Sequence, residues 1–483
     1  MKNLFKATSK ISLSVLTNFI SSFLKNKIFA VVLGVSGIGI ISQLTNLISF
    51  LNFFIPLGIP NGLSKYTSEK FLNEKEEIQK ILLNSTTLVL IPTIFFTVFI
   101  FIVSDQISYF LFDTIDYSFY IKLISISIPI IVLNSMIEGM LRALNVIGTY
   151  SRVSIYSNII GILILIPLVL FFKLLGAIIA ILILYLLYSL IGIYFLLKLN
   201  ILNGLKWKFN IDKELAKKLL KVSFVFLVSG GLFQFTLLLL RKFIISDFGI
   251  FYNGIYQSTI ALSLNYFSFI FISLSTYSFP LISKINSNEK LTAELNVNVK
   301  YICLLMIPLI SIIFAFRFNI IEILFTKEFI ESQKLFLFQF TGDFFKAIAW
   351  AVGIWLVPKL KLKKFLYLEL LLNVNLIVIF LILNSLFPEH LTMISIAYML
   401  SYIIHSFLNI YIARTDLNFK FDKSNKKIFI TTFFLTLPCL IVSYFEVIIG
   451  IYLIVPSLIL WAYLILEKND IRKFKELIIG FTK

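Results

Sequence analysis

The chain has 483 residues, of which 59% are hydrophobic and only 14% are charged, and its formal net charge is +18 at pH 7. A soluble domain carries about 25% charged residues, so this composition excludes a soluble globular protein. Apolar runs of about 20 residues, long enough to cross a bilayer, recur along nearly the whole sequence. We therefore predict an all-α integral membrane protein.

The apolar runs predict about fourteen spans. In chain order they cover 11–33, 38–60, 81–103, 118–141, 153–172, 174–197, 222–245, 254–280, 300–325, 335–357, 365–385, 391–413, 428–445 and 447–466. A basic connection at 198–221 separates the first twelve spans into two sets of six. The sequence therefore predicts a first lobe at 1–200, a second lobe at 201–415, and two additional spans with a tail at 416–483.

The positive charge follows the predicted topology. Most of the 43 Lys and Arg fall in the termini and in connections that share one side of the membrane. The connection at 104–117, on the other side, contains Asp105, Asp113 and Asp116 and neither Lys nor Arg. Cytoplasmic segments are the ones enriched in Lys and Arg, so both termini are predicted to be cytoplasmic. This distribution accounts for the net charge and argues against a nucleic-acid-binding protein.

A few cations lie within the apolar runs themselves. Lys25 and Lys27 occur in the first predicted span, and Arg241 and Lys242 in the seventh. A cation at the bilayer centre costs about 2.5–3.5 kcal/mol on insertion scales, so such residues commonly mark a ligand or ion path. Arg pairs bidentately with phosphate oxygens, whereas Lys acts as a point charge. The excess of positive charge predicts an anionic ligand.

Other polar residues form stripes at helical spacing. Gln339, Asp343 and Lys346 are spaced by four and three residues, which places them on one helix face. Glu138 and Arg142 are four residues apart on another predicted span. Each stripe has two interpretations: a structural ion pair that neutralises itself, or a polar face turned toward a water-filled cavity. The sequence leaves both open.

For several other residues a structural interpretation is favoured. Arg317 and Lys334 lie near predicted span ends, where a long side chain can extend its charge to the interface, and Lys27 could do the same. Cys303 and Cys439 are far apart in apolar segments. Neither a disulfide nor a metal site is predicted from them, and the sequence indicates no cofactor.

The two predicted lobes contain a weak internal repeat. In each lobe a lysine is followed seven residues later by a glycine, at Lys27–Gly34 and Lys242–Gly249. The next span of each lobe is then predicted to end at a proline before a basic stretch, at Pro60 and at Pro280. Six spans per lobe would give both lobes the same orientation, related by an axis along the membrane normal, as in transporters with two rocking lobes.

Five stretches together resemble one known family. The segments 27–39, 58–66, 240–257, 339–346 and 367–369 resemble segments of the Wzx-type flippases of the MOP exporter superfamily, and they occur in the same order along the chain. That group includes the translocases of O-antigen and of the enterobacterial common antigen lipid III. The resemblance covers the first twelve spans and implies two six-helix lobes in a MATE-like arrangement. The last two spans lie beyond it, and their role stays open.

The resemblance implies a transporter and not an enzyme. Its substrate would be an undecaprenyl-pyrophosphate-linked oligosaccharide, such as an O-antigen unit, moved to the periplasmic leaflet of the bacterial inner membrane with ion-gradient coupling. Membrane lipids and the glycan polymerase machinery are the other partners. Together with the intramembrane charges, the resemblance predicts a cationic substrate cavity and acids that couple transport to an ion gradient. The predicted cations of the cavity are Lys25, Lys27, Arg142, Arg241, Lys242 and Lys346. The predicted ion-coupling acids are Glu138, Asp343 and Glu369.

Two alternatives stay open. Another exporter of the same superfamily could carry a lipid II-type precursor or drugs, although a cavity for cationic drugs should contain unpaired acids. A membrane glycan polymerase or ligase should carry a large outer loop with catalytic Arg or His. Here the longest predicted outer connection is 104–117, so an enzyme of that class fits the sequence poorly.

Overall fold

The computed structural model describes the chain almost throughout, at residues 2–70, 74–144, 147–204 and 211–466. Within these ranges every regular element is helical. Ten helices there are long and apolar enough to cross a membrane. The prediction of an all-helical, multi-span membrane protein is confirmed. The count of about fourteen spans stays a prediction.

The chain divides into two compact units, Met1–Gly254 and Ile255–Lys483. The predicted lobe boundaries at residues 200 and 415 stay predictions. In the first unit α1 packs against α5, α6 and α8, and α2 packs against α5 and α7. Its helices are α1 (Lys2–Phe54), α2 (Ile59–Ser68), α3 (Lys75–Ile102), α4 (Ser104–Phe112), α5 (Ser118–Ala143), α6 (Ile147–Lys198), α7 (Lys213–Phe226), α8 (Leu232–Phe248) and the start of α9 (Ile250–Ile260).

In the second unit α13 (Gln333–Gly353) packs against α11 (Asn288–Ala315) and α15 (Thr392–Leu417), and α15 also packs against α14 (Leu362–Leu386). Two π-helical turns interrupt this unit, at Ala261–Tyr266 and Thr432–Thr436. Its remaining helices are α10 (Ser268–Lys284), α12 (Arg317–Leu324), α16 (Lys423–Thr431), α17 (Leu437–Phe445) and α18 (Val447–Ile465).

Two long helices are broken where the sequence predicts the end of a span. Within α1, Gly34 has φ 65° and ψ −170°. Within α6, Lys173 has φ 48° and ψ −122°. A right-handed helix cannot continue through a positive φ, so each of these residues separates two helical segments. The breaks fall after the predicted span 11–33 and between the predicted spans 153–172 and 174–197.

The glycines of the predicted repeat adopt the same unusual backbone conformation. Gly249, which ends α8, has φ 94° and ψ 167°, close to the values at Gly34. This region combines a positive φ with an extended ψ and is populated almost only by glycine. The correspondence supports the repeat at these two positions, because the same spacing from a lysine leads to the same local break.

The proline correspondence is wrong. Pro60 lies in the first turn of α2, after α1 has already ended at Phe54. Pro280, in contrast, lies inside α10. A proline is well accommodated at a helix start, because its missing N–H would have no intrahelical partner there. Pro60 therefore begins a short helix and does not end the second span.

Alanine at Gly34 or Gly249 should destabilise the protein. A side chain in this backbone region costs about 1–3 kcal/mol, so each variant should lower the thermal midpoint of the detergent-purified protein. Gly231→Ala is the matched control, because its backbone is helical and an added Cβ would meet only ordinary contacts. If all three variants unfold at the same temperature, the strain argument fails.

Within the basic connection, the side chain of Asp212 holds the first turn of α7 in place. Asp212 caps α7, accepting hydrogen bonds from the backbone N–H of Glu214 and Leu215, each at 3.1 Å. Its other carboxylate oxygen lies 2.9 Å from the Lys80 ammonium. The Lys80 contact, followed by the Leu215 N–H, holds the pKa of Asp212 below its usual range. The beginning of α3 thereby anchors the beginning of α7.

Arg317 is a structural residue of the second unit, and the expectation that it extends to the interface is wrong. Its side chain is buried and stacks on the Phe314 and Phe318 rings. The guanidinium donates to the Gln333 side chain at 2.9 Å, and to the backbone carbonyl and hydroxyl of Ser443 at 2.6 and 3.0 Å. Arg317 thus connects α12, the start of α13 and the end of α17, because its five donors can reach several elements at once.

Candidate functional site

The polar stripe on α13 forms the centre of a buried cluster in the second unit. Gln339 and Asp343 are buried and Lys346 is half-buried, all on the same helix face as the spacing predicted. The neighbouring elements contribute hydroxyl groups to this face. Ser263 comes from the π-helical turn before α10, and Tyr398 comes from α15. A π-helical turn shifts the helix register locally and is frequent at functional sites.

A continuous chain of hydrogen bonds runs through this cluster. Ser395 donates to the Gln339 Oε1 at 3.4 Å, and Gln339 donates to the Ser263 hydroxyl at 3.1 Å. The Ser263 and Tyr398 hydroxyls both donate to Asp343 Oδ1, each at 2.8 Å. Three helical elements are thereby connected through one carboxylate.

Lys346 joins the cluster through a hydroxyl. Its ammonium donates to the Tyr398 hydroxyl at 3.4 Å and lies over the Tyr402 ring, 5.5 Å from the centroid. It also interacts electrostatically with Asp343 and with Glu369 of α14. The α13 pair is therefore bridged by Tyr398, and the formal charges of Asp343, Lys346 and Glu369 sum to −1.

Asp343 is the residue of this cluster that is best suited to bind a proton or a small cation. Its side chain is 1% exposed, and the Ser263 and Tyr398 hydroxyls both donate to Oδ1. Within the described part of the chain, Oδ2 has no hydrogen-bond partner. A buried carboxylate oxygen in that state is costly, and either a proton or a small cation would compensate it. The arrangement can therefore hold one exchangeable positive charge.

A glycine makes room for this arrangement. Gly342 precedes Asp343 on α13, and a Cβ at that position would collide with the Tyr398 ring. Small residues at a helix contact let two membrane helices approach closely. The close approach of α13 and α15 brings the Tyr398 hydroxyl within hydrogen-bonding distance of Asp343.

Arg241 forms a second buried cluster, in the first unit. Its guanidinium donates to the Ser42 hydroxyl at 2.8 Å and to the Asn253 side-chain oxygen at 3.0 Å. Asn253 in turn donates to the Gly39 carbonyl at 2.7 Å. Arg241 is 1% exposed, so its side chain joins α1, α8 and α9 within the protein interior and is not accessible to a ligand in this conformation.

The other predicted cations of the first unit are less deeply buried than Arg241. Lys25, Lys27 and Lys242 are all half-buried. The Lys242 ammonium lies over the neighbouring Phe243 ring at 5.4 Å. The adjacent residues Arg241 and Lys242 thus have different surroundings, one in the interior and one partly accessible. The cationic cavity stays a prediction.

Glu138 and Arg142 form the predicted ion pair on α5, with a closest approach of 3.9 Å. Both side chains are accessible, with exposed fractions of 35% and 44%. The pair is therefore self-neutralised but open to its surroundings, which combines the two interpretations that the sequence left open.

Sequence reasoning missed several partners. Ser263 and Tyr398 are far from Asp343 along the chain, and neither belongs to a recognisable motif. A polar residue opposite a charged stripe is expected within a membrane, but the sequence does not say which helix supplies it. An apolar cavity of about 320 Å³ in the second unit was also missed. It is lined by α11, α13, α15 and the α16–α17 segment, so the α16–α17 segment closes one side of it.

A family model described as polysaccharide biosynthesis protein matches residues 4–286, more than half of the chain. The chain belongs to the polysaccharide biosynthesis protein family. Among relatives of this family member, the lipid III flippases of Escherichia coli (strain K12) and Shigella flexneri are 23% identical over 408 residues. That match covers 83% of this chain and 96% of either relative.

Solved structures show that the chain has the fold of known membrane transporters. The lipid II flippase MurJ, in an inward closed conformation, matches with a TM-score of 0.71 at 15% identity, over 94% of this chain and 97% of that one. An inward-facing multidrug resistance MATE family transporter of the MOP superfamily matches with a TM-score of 0.70 at 15% identity, over 85% and 98%. At this identity the matches establish the fold alone.

These comparisons confirm the resemblance to flippases of the MOP superfamily. The relatives are flippases and transporters, in agreement with the expectation that the chain is not an enzyme. It is a multi-pass membrane protein of MurJ- and MATE-like fold. The arrangement into two lobes of six helices, the position of the termini and the predicted substrate stay predictions.

Proposed function

We propose that this protein is a flippase for an undecaprenyl-pyrophosphate-linked oligosaccharide, which it moves from the cytoplasmic to the outer leaflet of the bacterial inner membrane. The observation that carries the proposal is the match to the lipid III flippases, which spans 83% of this chain and nearly the whole length of those proteins. A match of that extent includes the polar residues on α13 and most of the first unit. An O-antigen unit or a related surface glycan is the proposed headgroup.

The proposed driving force is an ion gradient acting through Asp343. A buried carboxylate with one open oxygen binds a proton or a small cation more readily than a paired one. Binding there neutralises a charge next to Lys346 and the Tyr398 bridge. Since the π-helical turn Ala261–Tyr266, α13 and α15 all contribute to the cluster, a change in its charge can bias the packing of these elements.

The proposed ligand of the accessible cations is the pyrophosphate. Lys25 and Lys242 of the first unit are half-buried, and a lipid pyrophosphate would supply the negative charge that such cations need within a membrane. Several cations facing low-dielectric walls raise the local concentration of an anion. Because Arg241 is enclosed by Ser42 and Asn253, we assign it to positioning α1 against α8 and not to direct contact with the lipid.

Reconstitution tests the function directly. The purified full-length protein is placed in liposomes with a fluorescent undecaprenyl-pyrophosphate-linked oligosaccharide, and a membrane-impermeant quencher reports the fraction in the outer leaflet. Protein-containing liposomes should show transfer well above the protein-free rate, and an imposed proton or sodium gradient should increase it. Lys25→Ala should slow the transfer.

Two comparisons make this test decisive. Undecaprenyl phosphate, which lacks the glycan and one phosphate, should move poorly. Transport of a cationic dye at a rate equal to that of the glycolipid would instead favour a multidrug exporter. If a correctly folded protein moves the glycolipid no faster than empty liposomes do, the proposal is wrong.

A further inference from the structure

The ion pair on α5 is surrounded by tyrosines of α6, in the first unit. Glu138 interacts electrostatically with the phenol groups of Tyr150, Tyr185 and Tyr188. Arg142 interacts with Tyr150 and Tyr188 in the same way. The two segments of α6, before and after Lys173, thus place three tyrosines near a carboxylate and a guanidinium of α5, in a site that the accessible ion pair leaves open.

One of these tyrosines has an unsatisfied hydroxyl group. The Tyr188 oxygen is buried, and within the described part of the chain it has no hydrogen-bond partner. Leaving a buried hydroxyl without a partner costs about 1–3 kcal/mol, so such a group in a native structure needs an explanation. A ligand that donates to this oxygen, or accepts from it, would remove the cost.

The charges at this site do not favour an ion as the ligand. Arg142 neutralises Glu138 at 3.9 Å, so the pair offers a pyrophosphate no net positive charge and a cation no unpaired carboxylate. Asp343 and the half-buried lysines are better placed for those two roles. What the pair does offer is donors and acceptors side by side, because a guanidinium only donates and a carboxylate only accepts.

The same helices contribute further amide and hydroxyl groups. Asn134, one turn before Glu138, donates to the Tyr185 carbonyl at 3.4 Å and so holds α5 against α6. Asn158 and Ser154 of α6 both donate to the Asn18 side chain of α1, at 2.7 and 2.9 Å. These contacts fix the backbone around the site without using the Tyr188 hydroxyl.

Aromatic rings, mixed donors and acceptors, and zero net charge are the chemistry that recognises a sugar. The C–H face of a pyranose packs on an aromatic ring, and its hydroxyls both donate and accept. We propose that Glu138, Arg142, Tyr150 and Tyr188 form a subsite for a neutral sugar of the lipid-linked headgroup, separate from the groups that meet its pyrophosphate. This inference rests on the proposed function and adds that this site binds a sugar of the headgroup.

The test compares two ligands that differ by one sugar. Affinities of the detergent-purified full-length protein are measured for undecaprenyl pyrophosphate and for the same lipid carrying a single hexose or a single N-acetylhexosamine. The variant Tyr188→Phe removes only a hydroxyl that has no protein partner, so it should fold like the wild type. It should weaken binding of a sugar-bearing lipid by about 2- to 12-fold, the range for one hydrogen bond, and leave binding of the bare lipid unchanged.

Two further variants test whether the effect of Tyr188→Phe is specific to the proposed sugar subsite. Glu138→Gln should act in the same direction as Tyr188→Phe. The matched control is Tyr194→Phe on the same helix α6, where the side chain is 59% exposed and should change neither affinity. Equal weakening for bare and sugar-bearing lipids would overturn the sugar assignment, and so would unchanged affinities for every lipid tested.

A different result would show that the proposed flippase function itself is wrong. If the wild-type protein binds neither the bare nor the sugar-bearing lipid, the flippase proposal is wrong, and the sugar subsite falls with it. If the wild type binds both kinds of lipid and the variants match it, only the subsite is wrong.

Discussion

Asp343→Asn should abolish the gradient dependence of glycolipid transfer while leaving the protein folded. Asparagine retains an oxygen that accepts from Ser263 and Tyr398, which both donate to Oδ1 in the structure. It removes the charge, and with it the reason for a proton or cation to bind. Couplings between two ligands of one protein are typically about 1–3 kcal/mol, so gradient-driven transfer should fall by about 5- to 150-fold.

The measurement is the liposome assay with and without an imposed gradient. Transfer without a gradient should fall less than gradient-driven transfer, because the pyrophosphate contacts are unchanged. Glu322→Gln is the control, since that acid lies outside the cluster and contacts Lys327 at an exposed position, 3.5 Å away. A variant Asp343→Asn that keeps the full response to the gradient would exclude Asp343 as the coupling residue.

Arg241→Met should destabilise the protein far more than Lys242→Met. Arg241 donates to Ser42 and Asn253 in the interior of the first unit, and both partners lose a charged donor when it is replaced. Hydrogen bonds to charged groups contribute about 1.5–3 kcal/mol each, so the loss of two of them should cost about 3–6 kcal/mol. Lys242 has only its stacking on Phe243 as a described contact, worth about 0.5–1 kcal/mol.

The two variants are compared by thermal unfolding in detergent and by binding of undecaprenyl pyrophosphate. The expected pattern is a large loss of stability for Arg241→Met, and a small loss of stability with weaker lipid binding for Lys242→Met. The opposite pattern, a stable Arg241→Met protein that has lost only its affinity for the lipid, would restore Arg241 as a direct ligand.

The different surroundings of these neighbours explain why one motif can serve two purposes. Adjacent residues on a helix point about 100° apart, so one can face the protein interior while the other faces elsewhere. Arg241 packs with Asn253 close to the break at Gly249, where α8 ends and α9 begins. The resemblance to the family at this motif is therefore compatible with a positioning role for Arg241 and a ligand role for Lys242.

The sequence by itself determined the properties that depend on local pattern. The length of the apolar runs predicted a helical membrane protein, because the bilayer core demands about 20 apolar residues per span. The spacing of Gln339, Asp343 and Lys346 predicted a shared face, because 3.6 residues make one helical turn. The matched glycines after Lys27 and Lys242 predicted related breaks, and both adopt a backbone conformation that favours glycine.

Only the tertiary structure decided which groups meet. Ser263 and Tyr398 lie 80 and 55 residues from Asp343 along the chain, and no helical period links such distant positions. The same holds for Arg241, whose partner Ser42 is 199 residues away. The sequence around an intramembrane cation is the same whether its side chain faces a ligand or a buried hydroxyl. Its role depends on which helix packs against it, because a polar group in the lipid-like interior is stabilised by neighbouring groups of the fold or by a ligand.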